Sequence, residues 1–150
     1  ICLSLGVGNN EAKRLSGRFE AQLLRLLADT GRSVWIDSGA GGSEAYSVNA
    51  AISEAGVAPE RIQILTGSFA DFCSVIQRAS LYVGYDSAGQ HAAAALGVPG
   101  VTLFKGYPNE RMLHRWQPRG AATSTVIRIV PGAREEHVLH EFFVALREVL

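Results

Sequence analysis

Apolar residues fall in short blocks separated by polar, glycine-rich breaks, and the blocks alternate between two periodicities. Ile1-Cys2-Leu3-Ser4-Leu5-Gly6-Val7 reads as a first strand, followed by a polar loop from Gly8 to Arg14. Phe19, Leu23, Leu24, Leu26 and Leu27 then recur at helical spacing, with Gly31 placed to end the helix. Ser33 to Asp37 is a second strand, Gly39 to Glu44 a flexible loop, and Ser43 a cap for a helix running to about Ala55. Arg61 to Leu65 is a third strand, and Thr66-Gly67-Ser68 leads into a helix carrying Phe69, Phe72, Val75 and Ile76. Leu81 to Phe104 is the stretch around which the rest is arranged. It holds an apolar run to Tyr85, a polar turn at Asp86-Ser87, small helix formers from Ala88 to Leu96, the breaker Gly97-Val98-Pro99-Gly100 and an apolar run from Val101 to Phe104. That order predicts a right-handed β-α-β unit. Lys105 to Gly120 reads as a long polar segment, Thr125 to Val130 as a sixth strand interrupted by Arg128, and Ala133 to Leu150 as a final amphipathic helix.

Strands alternating with helices predict an α/β fold, a three-layer, Rossmann-like parallel sheet of six strands with helices on both faces. Ligands of such sheets sit outside the carboxyl ends of the strands, near the point where strand order reverses. The loops at that edge are Gly8-Arg14, Gly39-Glu44, Thr66-Ser68, Asp86-His91 and Lys105-Gly120, which hold most of the glycines and the unusual polar groups.

Asp86 or Ser87 can open the helix that follows, leaving the amides of Ser87, Ala88 and Gly89 without intrahelical acceptors. Such a helix start binds anions, and Gly89 would let a phosphate approach the backbone. Lys13 and Arg14 lie on the loop after the first strand, next to the fourth in the usual order of this fold. A cation there would face the same phosphate, and His91, one turn into the helix, could add its ring. The spacing equally fits an ordinary α/β turn with solvated charges.

Other chemistries fit less well. Gly6-Val7-Gly8 and Gly39-Ala40-Gly41 each lack the third glycine of the dinucleotide fingerprint, because Glu11 and Glu44 stand there, and there is no P-loop. A nucleophile elbow at Ser87 needs a small residue where Tyr85 stands, and no Asp follows Asp86 to complete a triad. His137 and His140 are three apart on the last helix, but no second cluster completes a metal site. Acidic and basic residues balance at 14 each, which offers no argument for nucleic-acid or membrane-surface binding. No apolar run is long enough to span a membrane. Two cysteines, Cys2 and Cys73, read as reduced, buried small hydrophobes rather than a disulfide framework. The chain opens without Met, directly in a core strand, which predicts a fragment lacking an N-terminal part.

Asp86-Ser87-Ala88-Gly89-Gln90-His91, the Ala-rich helix, Leu96-Gly97-Val98-Pro99 and Leu103-Phe104 together resemble the signature of glycosyltransferase family 9, the ADP-heptose:lipopolysaccharide heptosyltransferases. The loop carrying Lys13 and the late Trp116-Gln117-Pro118 resemble family elements in the same order. The resemblance covers nearly the whole chain, as the C-terminal, donor-binding domain of a two-domain GT-B enzyme. It implies that the amides of Ser87, Ala88 and Gly89 hold the diphosphate of ADP-heptose or another nucleotide sugar, with Asp86, His91 and the catalytic Lys13 beside it. Asn9 lies where the family often carries a hydroxyl residue on the donor side. Glu44 is implied to meet ribose or adenine, and Ser68 to lie in the adenine-side loop. It further implies no metal, no cofactor, a lipid-linked or polysaccharide acceptor met through the N-terminal domain, and a cytoplasmic enzyme peripheral at the inner membrane face. Lys105-Gly106-Tyr107 stands where the family has Gly-Pro-Thr, and Asn9-Asn10 where it often has hydroxyl residues; both departures bear on the sugar. A non-catalytic nucleotide-binding or interaction module with a degenerate site is the alternative.

Overall fold

The computed structural model describes residues 1–39 and 41–150; Ala40, in the predicted Gly39–Glu44 loop, lies outside them. Six parallel strands, β1 (Cys2–Ser4), β2 (Val34–Asp37), β3 (Ile62–Leu65), β4 (Tyr82–Tyr85), β5 (Gly100–Lys105) and β6 (Ser124–Ile129), form one sheet in the order β3-β2-β1-β4-β5-β6. This is the predicted three-layer fold. The helices are α1 (Gly17–Asp29), α2 (Ser43–Ala55), α3 (Phe69–Arg78), α4 (Ala88–Ala95), α5 (Glu110–Trp116) and α6 (Glu135–Val149).

Alternation along the strands assigns each layer. Leu3, Ile36, Val83, Tyr85, Val101, Leu103 and Ile127 join α1, α2 and α6 in the larger core, whereas Cys2 and Tyr82 join α3 and α4 in the smaller one. Cys2 is fully buried, and burial pushes its thiol up to about 12. Cys73, on α3, is only half-buried, contrary to expectation. β1 is shorter than its apolar run, because Leu5 and Val7 pack into the core beyond the end of the ladder. The segment after β5 is not a plain loop. Asn109 accepts a hydrogen bond from the Met112 amide and starts α5, a cap hidden among the prolines and arginines around it.

Two features of the middle of the sheet position the site. The first is the fully buried Tyr82, whose ring lies under α4. A Cβ at Gly89 would fall 2.5 Å from the Tyr82 hydroxyl, and one at Gly84 would fall 2.5 Å from the same oxygen and 2.9 Å from the Ser4 carbonyl. The two glycines are therefore needed for helix and strand to close over the tyrosine.

The second is a buried polar chain between α1 and β4. Arg14 donates to both oxygens of Glu20 at 2.9 and 3.1 Å, and the Tyr85 hydroxyl donates to Glu20 Oε1 at 3.1 Å while accepting from the Leu15 amide at 3.1 Å. Glu20 is 1% exposed. Burial pushes its carboxyl up to about 7, against the opposing pull of Arg14 and of the Tyr85 hydroxyl.

Two expectations follow. Gly89→Ala gains about 1 kcal/mol of helix propensity but overpacks a site that cannot relax, at about 1–3 kcal/mol. A net loss in urea unfolding is expected, and Tyr82→Leu in the same chain should remove most of that loss. For Glu20, the unfolded carboxyl titrates near 4.5 and the folded one near 7, so its contribution is complete at low pH and is lost as pH rises through about 7. Wild-type stability should fall relative to the neutral Glu20→Gln variant between pH 5 and 8, by about 3 kcal/mol at most. A difference in unfolding free energy that stays flat with pH would contradict this.

Candidate functional site

Parallel pairing puts every strand's carboxyl end on one edge. The register sets Ser4 between Asp37 on β2 and Gly84 on β4, so these residues share one row facing the α3–α4 layer. Above that row opens a crevice of about 320 Å³. Ser4, Gly6, Asp37 and Glu44 line one side, Ser68, Phe69 and Phe72 another, and Ser87, Ala88 and Gly89 close it at the start of α4. Its place beside the β1–β4 switch in strand order is where ligands of this fold bind.

Ser87 is the N-cap residue of α4, but its side chain makes no capping bond. Geometry alone leaves the first amides of a helix without intrahelical acceptors, and the peptide dipoles make that end positive. Beneath it lies the Tyr82 hydroxyl, buried, without a hydrogen-bond partner among the described residues, and with the side chains of Ser4 and Ser87 as polar neighbours.

Asp86 does not cap the helix either. Its Oδ2 accepts from Lys13 Nζ at 2.8 Å, its backbone carbonyl accepts from the same nitrogen at 2.9 Å, and its Oδ1 accepts from Gln90 Nε2 at 2.6 Å. The Lys13 and Asp86 side chains are 18% and 8% exposed, so the pair is largely desolvated. Lys13 closes a 3₁₀ turn, Glu11–Lys13, whose start is fixed by Asn10 Oδ1 accepting from the Ala12 amide. The ammonium lies 5.8 Å from the centre of the Trp116 ring, a cation–π distance. Gln90 donates to the Trp116 carbonyl as well, which ties the end of α5 to α4.

All of the predicted residues but Asn9 and His91 thus fall into two groups. Glu44, Ser68, Ser87, Ala88 and Gly89 line the crevice, while Lys13 and Asp86 form an ion pair at the β4–α4 turn. Glu44 lies in the first turn of α2 and its Oε1 accepts from the Val7 and Gly8 amides at 3.2 and 3.1 Å, joining α2 to the loop after β1. The expected cap of α2 is displaced by one: Gly42 holds the N-cap position with a φ of +55°, and Ser43 is the first helical residue. Ser68 is engaged in a reciprocal capping box with Asp71. Asn9 is exposed in the turn after β1. His91 is exposed outside the crevice lining, its Nε2 3.4 Å from Gln90 Nε2. Gly89 has a packing role, since its missing side chain is the space Tyr82 occupies.

Four further residues belong to the site. Asp37 ends β2 inside the crevice, and burial raises its carboxyl above the usual range against the opposing Gly39 amide. A lone acid closing an apolar strand is the signal that could have marked it. Phe69, 54% exposed at the rim with its ring 6.2 Å from that of Phe72, is an apolar residue directly after a helix cap. Trp116 and Gln90 fall within the family-like motifs, but their contacts with Lys13 and Asp86 depend on how α5 folds back. Among the described residues no three His, Cys, Asp or Glu side chains assemble as a metal site.

The arrangement joins a nucleotide-sized crevice, a positive helix start and a fixed cation. Comparison with known proteins gives it a family. Residues 9–138 match the model of glycosyltransferase family 9 (heptosyltransferase). Comparison with curated protein sequences returns no match. Among solved structures the fold is similar to E. coli heptosyltransferase WaaC with ADP, at a TM-score of 0.78 and 21% identity, covering 99% of this chain and 44% of that one. It is similar to E. coli ADP-heptose lps heptosyltransferase II at 0.70 and 24%, covering 98% and 46%. A glycosyl transferase family 9 structure from Veillonella parvula DSM 2008 follows at 0.64 and 15%, covering 95% and 39%. The chain spans less than half the length of these structures, and at such identities the likeness carries the fold alone. The family rests on the match across most of the sequence: this chain belongs to glycosyltransferase family 9, the heptosyltransferase family.

Proposed function

We propose that this chain binds the nucleotide-sugar donor of a family 9 glycosyltransferase that transfers heptose or a similar sugar to an envelope polysaccharide acceptor. The observation that carries the reading is the open start of α4, closing a crevice beside the Lys13 ammonium. The diphosphate lies across the amides of Ser87, Ala88 and Gly89. Lys13 has three N–H donors, of which Asp86 takes two, and the third reaches a phosphate oxygen. The nucleoside occupies the crevice over β1, β2 and β3, its ribose or base meeting Glu44 and Asp37, its apolar face against Phe69, and Ser68 at the rim. Asn9, in the turn after β1, and His91, on α4, border the site from outside the crevice lining. ADP is the nucleotide in this reading; a structural neighbour is described with ADP and another with an ADP-sugar analogue.

In the reaction an acceptor hydroxyl attacks the anomeric carbon. The new C–O bond forms as the bond from that carbon to the diphosphate oxygen breaks, and the acceptor proton passes to a base. That base belongs to the other half of a two-domain enzyme in this reading, so this chain alone binds donor and does not turn it over. Charge growing on the leaving diphosphate is met by the α4 dipole and by Lys13, positioned before the reaction and so needing no reorganisation. Lys13 is the catalytic residue of this half. No helix among the described residues is long and apolar enough to cross a membrane; an enzyme acting at the inner face would attach peripherally.

Calorimetric titration with ADP, in the presence of EDTA, is the test. Wild type is expected to bind at millimolar or lower concentration, and Lys13→Ala to weaken binding tenfold or more, about 1.4 kcal/mol, with the fold checked by thermal melting. Folded wild-type protein that ignores millimolar ADP overturns the reading.

A further inference from the structure

Lys105, at the end of β5, is two strands from β1, yet its ammonium reaches back to the loop after β1. Lys105 Nζ donates to the Ala12 carbonyl at 3.0 Å and to the Arg14 carbonyl at 2.6 Å, the carbonyls of the residues on either side of Lys13. The next residue supports the same approach. Gly106, with a φ of +71°, turns the chain so closely that a Cβ there would lie 2.9 Å from the Ala12 oxygen. We propose that Lys105 is a positioning residue for donor binding: by holding the carbonyls that flank Lys13, it keeps that lysine's ammonium at the α4 turn before the donor arrives.

The neighbouring contacts divide the work. The 3₁₀ turn is closed by its own bonds, the Lys13 amide donating to the Asn10 carbonyl at 3.1 Å and the Arg14 amide to the Glu11 carbonyl at 3.0 Å. After it, the Leu15 amide is held by Tyr85 and the Ser16 amide by Glu135 at 2.7 Å. Between those anchors, Lys105 is the side chain bonded to the carbonyls of Ala12 and Arg14. Lys105 also lines a separate crevice with Arg14 and Tyr107, which shares no lining residue with the one that holds the α4 start. Its influence on a ligand at α4 therefore passes through Lys13. A lysine on an unpinned turn must be ordered at the moment of binding, and that cost is removed when the turn is fixed beforehand.

The inference rests on the donor reading above, and the experiment separates the two. ADP binding is measured for wild type, Lys105→Met, Lys105→Arg, Lys13→Ala and the double variant Lys13→Ala/Lys105→Met, together with amide hydrogen exchange at Lys13 and Leu15. Lys105→Met should weaken ADP binding about fivefold to tenfold and speed exchange at both amides. Lys105→Arg, still able to bridge two carbonyls, should return affinity to within about twofold. In the Lys13→Ala background the Met substitution should change affinity less than about twofold. Equal weakening in both backgrounds would mean that Lys105 acts independently of Lys13 and would overturn the proposal, as would Lys105→Met binding like wild type. If wild type binds no ADP, the donor reading fails instead, and exchange at Lys13 and Leu15 alone decides whether Lys105 holds the turn.

Discussion

The pairing of β1 with β4 is the constraint from which the site follows. Residues 2–4 meet residues 82–84 in parallel, across nearly eighty residues of intervening chain, so the ends of two distant segments emerge side by side. One continues into the turn carrying Lys13 and the other into the Asp86–Ser87 turn. Neither turn contains a site alone. Their juxtaposition delivers a cation to a helix start, and it is fixed by a ladder of only three residue pairs backed by the buried Leu3 and Val83. The cost of so short a strand is offset by side chains that join the same two segments above the ladder, Lys13 to Asp86 and Tyr85 to Leu15.

Charge is handled in the same way at two points beside the loop after β1. Glu20 and Asp86 are buried carboxylates, and each is met by a basic side chain and by a neutral donor, Tyr85 for the one and Gln90 for the other. A buried ion pair contributes little net stability against an apolar replacement, but losing one partner is expensive. These pairs therefore act as locators. They allow one arrangement of the loop after β1 and penalise the others, which suits a site whose cation must be in place in advance.

Much of this was legible from residue pattern. The strand-helix alternation gave the layers, and the usual order of such sheets placed Lys13 opposite the turn at Asp86. What could not be read was anything set by contact across the fold. Gly89 looked like access for a phosphate, and its neighbour in space is a tyrosine seven residues earlier. Asp86 looked like a helix cap, and its carboxylate is taken by Lys13 and Gln90. The α5 helix was hidden because its seven residues, with one buried leucine, carry too little periodicity to stand out from a polar segment. In the sequence Lys105 stands out only as a departure from a family pattern; that its ammonium reaches back to the first loop depends on the glycine turn after it.

Cys2 carries a consequence of another kind. Sealed between Tyr82 and the α3 layer, it remains a protonated sulfhydryl at any physiological acidity and offers no thiolate to an oxidant or an alkylating agent. The half-buried Cys73 is the chain's other sulfur of that type. Of the chain's two thiols, the one with access to solvent therefore lies on α3, the helix that begins at the rim of the crevice, while the strand at the centre of the sheet keeps its own out of reach.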